Sequence, residues 1–281
     1  MGRIILSAFA DEYDAVFEEQ LKGIVSLGIG NIEIRGVDGK NISTLTKSEV
    51  KDVKSKLDCY GIGASAIGSP IGKVKLDEDL DAHLEMSKRV FETARELGTK
   101  YVRMFSFYAP EGKEMSECRS EAFSELSRLV SAAKEQGVVL CHENEANIYG
   151  DVPSRCREIF DNFGGDIKCV FDMGNFALDG IDPLSAYELL KDEIAYFHIK
   201  DALGAGAIVP PGKGEAKIAE ILAKHVKYSN KDFFISLEPH LQLFSGLNAL
   251  THRSFDNPYK YNDMKEAFVD ALTKLKELLP Q

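Results

Sequence analysis

With 281 residues, 44% hydrophobic content and a mean hydropathy of −0.18, the chain can bury one large α/β core, and no Pro/Gly/Ser-rich linker or block of like charge divides it. A formal net charge of −11 without a local basic patch disfavours nucleic acid and anionic lipid as partners, and no run approaches the roughly 20 apolar residues of a membrane-spanning helix. The cysteines, Cys59, Cys118, Cys141, Cys156 and Cys169, are odd in number and lack CxxC spacing, which argues against a disulfide framework or a thiolate zinc site. With no signal-peptide pattern in residues 1–10, the expected location is the cytoplasm.

Along the chain, residues 3–8 read as a first strand, followed by SAFADEYD, which has no phosphate-binding glycine. An amphipathic helix, a glycine and a short apolar strand then recur. Gly28 precedes IGNIEIRG, Gly61 precedes IGASAIG, Gly98 precedes TKYVRMFSF, Gly137 precedes VVLCHEN, and Gly164-Gly165 precedes DIKCVFDMG. Each glycine suits a helix C-cap, and Thr46 with Glu49 is a candidate capping box. Residues 195–200 and 233–238 complete about eight strands at a spacing of roughly 30 residues, which predicts a single (β/α)8 TIM barrel over residues 1–281.

The last four strands each end on a metal-ligand side chain: Glu143 in VVLCHENE, Asp172 in IKCVFDMGN, His198 in IAYFHIKDA and Glu238 in FFISLEPH. Strand alternation places Tyr196, His198 and Lys200 on one face, opposite Phe197 and Ile199, and Ser236 and Glu238 opposite Ile235 and Leu237. The same logic turns Glu33, Arg35 and Arg103 inward and His142 away from Glu143. One carboxylate at a strand end is ordinarily a helix N-cap or a salt-bridge partner. Four ligand-type residues delivered by consecutive strands point instead to a divalent cation at the barrel mouth.

At these residues the chain resembles the xylose isomerase-like TIM barrel superfamily, in its sugar phosphate isomerase/epimerase group. The resemblance is carried by HENEANIYGD, FDMGNF, FHIKDA, PPGKGE and SLEPH and covers essentially the whole chain. It implies that Glu143, Asp172, His198 and Glu238 bind one divalent metal and that Glu143 and Glu238 double as acid and base. The chain departs from the pattern at Asn175, where zinc-dependent DNA-repair nucleases and free-ketose epimerases of the superfamily carry a histidine. The loss, together with the acidic charge, argues against nuclease activity and leaves a plain ketose 3-epimerase less secure.

The expected activity is isomerisation or epimerisation of a sugar, sugar phosphate or cyclic polyol by proton transfer next to a carbonyl. A dehydratase acting on a keto-inositol-like hydroxyketone is the alternative, since it uses the same proton abstraction, and a noncatalytic sugar-binding barrel is a further one. Three carboxylates and one imidazole rank Mn²⁺ first among metals, with Mg²⁺, Co²⁺ and Zn²⁺ as alternatives. Arg35, Lys73, Arg103, Lys200, Lys213 and His240 are candidate substrate contacts, each with an internal ion pair as the competing role. His83, His225 and His252 read as surface residues, and residues 254–262 as a stretch that covers a mouth, a neighbouring subunit or its own barrel in a homo-oligomer.

Overall fold

The computed structural model describes residues 1–204, 206–242 and 258–280. Its centre is a sheet of eight parallel strands: β1 (Ile4–Ala8), β2 (Asn31–Ile34), β3 (Gly63–Ile67), β4 (Tyr101–Met104), β5 (Val139–Glu143), β6 (Ile167–Asp172), β7 (Ile194–Ile199) and β8 (Phe233–Leu237). The hydrogen-bonded order runs β1-β8-β7-β6-β5-β4-β3-β2, and β1 and β2 touch without sharing a ladder, so the barrel is nearly closed. Helices α1 (Phe17–Ser26), α2 (Lys47–Tyr60), α3 (Leu80–Glu96), α4 (Arg119–Gln136), α5 (Pro153–Phe163), α6 (Met173–Leu178), α7 (Pro183–Leu190), α8 (Ile218–Tyr228) and α9 (Met264–Leu278) surround it.

Local chemistry accounts for the helix ends. Thr46 and Glu49 form the reciprocal capping box at the start of α2, and Gly61 and Gly137 close α2 and α4 in the left-handed conformation that a Cβ disfavours. The alternation within strands divides the interior into two cores. Phe197, Ile199, Phe233, Ile235 and Leu237 join the large core that packs against the helices, whereas Ala66, Cys141, Val170 and Tyr196 form a separate small cluster inside the barrel. Polar side chains sit above that cluster, toward the C-terminal ends of the strands.

Two irregularities shape this inner face. The register between β2 and β3 shifts at Ile32/Glu33, and that between β6 and β7 shifts at Cys169/Val170. Such shifts re-aim side chains, and the first lies where Glu33 turns inward. Two antiparallel hairpins, Gly36–Val37 with Lys40–Asn41 and Asp201–Leu203 with Ala207–Val209, follow β2 and β7 and build up the same end of the barrel.

Two histidines lie elsewhere than the sequence suggests. His225 is 3% exposed, with its ring against Phe197 and Phe233, because α8 presents it to the barrel wall rather than to solvent. His83 is half-buried and accepts a hydrogen bond from the Gly72 N–H at 2.9 Å. His142 is fully buried on the outer side of β5 with Nε2 3.0 Å from Ser106 Oγ, as alternation implies. His252 and residues 254–257 lie outside the described residues. Among the described residues, no helix is long and apolar enough to cross a membrane.

Candidate active site

Glu143, Asp172, His198 and Glu238 meet at the C-terminal ends of β5 to β8. All four are buried, and one ligand atom from each lies within 4.8 Å of the others. Parallel pairing produces this convergence: Asp172 and His198 are register partners, and Ser236, two residues before Glu238, pairs with His198.

Asp172 has two separate tasks. Its Oδ1 accepts the Asn175 N–H at 2.8 Å and caps α6, while Oδ2 points into the cluster. Asn144 fixes the adjoining backbone, accepting from the Asp172 N–H at 3.0 Å and donating to the Asp172 carbonyl at 2.9 Å. Asn175, the departure from the histidine pattern, donates to the Asn144 carbonyl at 2.8 Å and more weakly to Glu143 Oε1 at 3.4 Å.

His198 is held from both sides. Nε2 lies 3.0 Å from Glu33 Oε2, and Nδ1 lies 3.1 Å from Glu143 Oε1 and 3.4 Å from Glu238 Oε2. Glu33 also accepts hydrogen bonds from Tyr196 at 3.0 Å and Ser236 at 2.8 Å, so a carboxylate with no exposed surface is satisfied by three donors. Burial alone would lower the His198 pKa, but Glu33 and Glu143 reverse that and raise it well above the usual range. Sequence alternation turned Glu33 inward without giving it a role; its position behind the imidazole emerges only from the fold.

Cations fill the rest of the mouth. Lys200 Nζ lies 2.8 Å from Asp172 Oδ2 and 3.6 Å from Glu238 Oε2. Arg35 donates to Glu238 at 2.7 Å, to Asp11 at 2.9 and 3.0 Å, and to Glu12 at 3.0 Å. Arg103 lies 3.2 Å from Glu143 and 3.8 Å from Glu238. Burial would raise the pKa of both glutamates; His198 and Arg103 instead hold Glu143 down at about 2, and Lys200 and His240 hold Glu238 well below the carboxylate range. Asp172 goes the other way, to about 6, because burial outweighs the Lys200 charge.

Of the sequence-predicted substrate contacts, Arg35, Lys73, Arg103, Lys200 and His240 line one cleft with Phe105, Glu143, Glu145 and Glu238. Lys213 stands apart. It is exposed in a loop that packs on α9 near Leu278, and its charge acts on Asp270. The surrounding PPGKGE segment serves Asp201 instead, whose carboxylate accepts backbone N–H groups from Ala202, Gly212, Gly214 and Ala216 at 2.7 to 3.0 Å. Asp11, Glu12 and Glu145 were missed by the sequence reading. Only the acidic pair in ADEYD after β1 could have signalled two of them.

The cluster fits a divalent cation by its own chemistry. Glu143 Oε2, Asp172 Oδ2 and Glu238 Oε2 are buried oxygens that accept no hydrogen bond, the cations near them lying at ion-pair distance but off the hydrogen-bonding geometry. Three such oxygens and an imidazole whose far nitrogen is held by a carboxylate form a donor set for a hard or borderline dication.

Residues 21–277 match the family model described as xylose isomerase-like TIM barrel, and the chain belongs to that family. Among solved structures of similar fold is a D-allulose 3-epimerase from Methylomonas sp., 16% identical with a TM-score of 0.75 and covering 99% of both chains. A probable 3-DHS dehydratase from Bacillus anthracis is 16% identical, with a TM-score of 0.71 over 99% of this chain and 98% of the other. A xylose isomerase-like TIM barrel protein from Mycobacterium smegmatis, in complex with magnesium, is 15% identical, with a TM-score of 0.67 over 100% and 98%. No curated protein matches the chain in sequence.

Proposed function

We propose that this chain is a divalent-metal-dependent isomerase or epimerase of a sugar, sugar phosphate or cyclic polyol, working as one domain over residues 1–281 in the cytoplasm. The observation that carries the reading is the convergence of Glu143, Asp172, His198 and Glu238, three of them with buried oxygens lacking a hydrogen-bond donor. These four residues would hold the cation, and the magnesium bound by the Mycobacterium smegmatis relative supports a hard dication, with Mn²⁺ ranked first. Once bound, such an ion supplies Lewis-acid stabilisation of the negative charge that builds on a carbonyl oxygen.

The chain's own residues supply the proton chemistry. Neighbouring cations favour the ionised forms of Glu143 and Glu238, so either can meet the substrate as the carboxylate that takes a proton from carbon next to the carbonyl. The proton leaves carbon for one carboxylate, its electron pair delocalising onto the carbonyl oxygen. Delivery to the opposite face of a proton that the other glutamate has first taken up from solvent gives the epimer. Return of the abstracted proton to the neighbouring carbon, with that carbon's hydroxyl proton passing to the former carbonyl oxygen, gives the isomer, and exchange with solvent restores both carboxylates. Lys200 and Arg103, buried and within 4 Å of these carboxylates, place fixed positive charge where the oxygen charge develops. Glu33 orients His198 from behind and does not reach the substrate.

The epimerase relative supports proton transfer, and the probable dehydratase relative supports the second reading, in which abstraction is followed by loss of water from a hydroxyketone. Solvent-deuterium incorporation into candidate ketoses, read by mass spectrometry on metal-loaded protein, tests both. Deuterium gained with the carbon skeleton and its oxygens intact supports the isomerase or epimerase, whereas a product lighter by one water supports the lyase. No exchange and no product across a broad ketose panel would leave the noncatalytic sugar-binding barrel.

A further inference from the structure

We infer that the substrate is uncharged: the cleft is built for a neutral sugar or polyol and discriminates against the corresponding phosphate ester or carboxylate. This rests on the reading above and narrows it. A site that recognises a phosphate or carboxylate keeps a guanidinium or ammonium group whose counter-ion is the ligand itself. Among the described residues, each of the four lysines and arginines lining the cleft faces a carboxylate of the protein.

Arg35 is engaged by Asp11, Glu12 and Glu238 at 2.7 to 3.0 Å, and its guanidinium also lies 4.4 Å from the centre of the Phe9 ring. Arg103 faces Glu143 at 3.2 Å and lies between the rings of Phe9 and Phe105, 5.2 and 5.0 Å from their centres. Lys73 faces Glu145 at 3.4 Å over the Phe105 ring, and Lys200 faces Asp172 at 2.8 Å. Turning Arg35, Arg103 or Lys73 toward an anionic ligand would abandon a carboxylate and a ring contact together, and turning Lys200 would abandon the buried Asp172.

The charge balance points the same way. With Glu33 behind His198, seven carboxylates face these four cations among the described residues, so the carboxylates outnumber the lysines and arginines by three. A dication in the four-residue cluster still leaves one. A phosphate ester would add about −1.5 to −2 to that, inside a site where charges are poorly screened. A hydroxyl group meets no such penalty, because it accepts from a cation and donates to a carboxylate at once and joins an existing ion pair without displacing either partner.

The test is calorimetric titration of Mn²⁺-loaded protein with non-reacting pentitols and hexitols, each beside its phosphate ester and its aldonate. The expected result is binding of at least one neutral polyol with a Kd at least about tenfold below those of its two anionic counterparts. Equal or tighter binding of an anionic counterpart overturns the inference, and so does failure to bind any neutral member. Deuterium exchange on the matching ketoses is scored separately. Neutral-selective binding without exchange removes the isomerase reading alone, whereas exchange with preference for the phosphate removes only the neutral-substrate inference. Glu145→Gln sharpens the test, because it removes the carboxylate charge facing Lys73 and should improve the affinity for the phosphate ester by about tenfold relative to the polyol.

Discussion

Strand β7 has a buried histidine on each side. His198, inside the barrel, has no exposed surface and lies among Glu33, Glu143 and Glu238, which raise its pKa well above the usual value. His225 meets the outer face through Phe197, with ring centres 4.8 Å apart, and its Nδ1 lies 3.3 Å from the Tyr187 hydroxyl; burial among aromatic rings lowers its pKa to about 4. Near-complete burial at both positions thus goes with pKa shifts in opposite directions. What differs is the carboxylates: three face His198 on the inner side, and among the described residues none pairs with His225.

That contrast predicts where substitutions act. The largest effect is expected on the inner side. Glu238→Gln should lower turnover by about 10² to 10⁴, the range for loss of a positioned acid or base, while retaining more metal than Asp172→Ala or His198→Ala. Metal content by elemental mass spectrometry beside kinetics checks this, and wild-type turnover in Glu238→Gln would remove that residue from the mechanism.

A smaller effect isolates the support behind the imidazole. Glu33→Gln keeps the size of the side chain and its contacts with Tyr196 and Ser236 but removes the charge facing Nε2. Metal affinity should fall by about 10- to 100-fold, the usual range for loss of such a partner, with little change in folding stability. Calorimetric metal titration and urea unfolding of the same sample separate the two, and unchanged affinity would reduce Glu33 to a structural residue.

The outer histidine should show itself only in stability. His225 is neutral when folded, with a pKa of about 4, whereas in the unfolded chain it binds a proton below about 6.5. Its contribution is therefore complete above pH 6.5 and is lost as the pH falls toward 4, at a cost of about 2 kcal/mol between pH 7 and pH 5. Urea unfolding at those two pH values, compared with His225→Gln, should show a shallower decline in the variant. Parallel profiles would contradict the assignment.

Much of the barrel was legible because its signals are local. The period-two alternation in FHIKDA and FFISLEP separates the inward and outward faces, and the Thr46–Glu49 box lies within one helical turn. Alternation also sufficed to bring Glu143, Asp172, His198 and Glu238 to one end of adjacent parallel strands. The reading of His225 as a surface residue failed because which side of α8 faces the barrel depends on how that helix docks. Lys213 was a candidate substrate contact, but the loop bends around Asp201 and leaves it exposed.

By itself, then, the sequence determined the succession of strands and helices, the inner face of each strand and the ligand-type residue at each of four strand ends. Tertiary structure alone decided the electrical character of the mouth. The contact between Glu33 and His198 spans 165 residues, and that between Arg35 and Glu238 spans 203. Such pairings depend on closing the barrel and on the register shift at Ile32/Glu33, and no period in the chain encodes them. The physical reason is that alternation is a property of one strand, whereas charge compensation in a buried mouth is a property of all eight strands together.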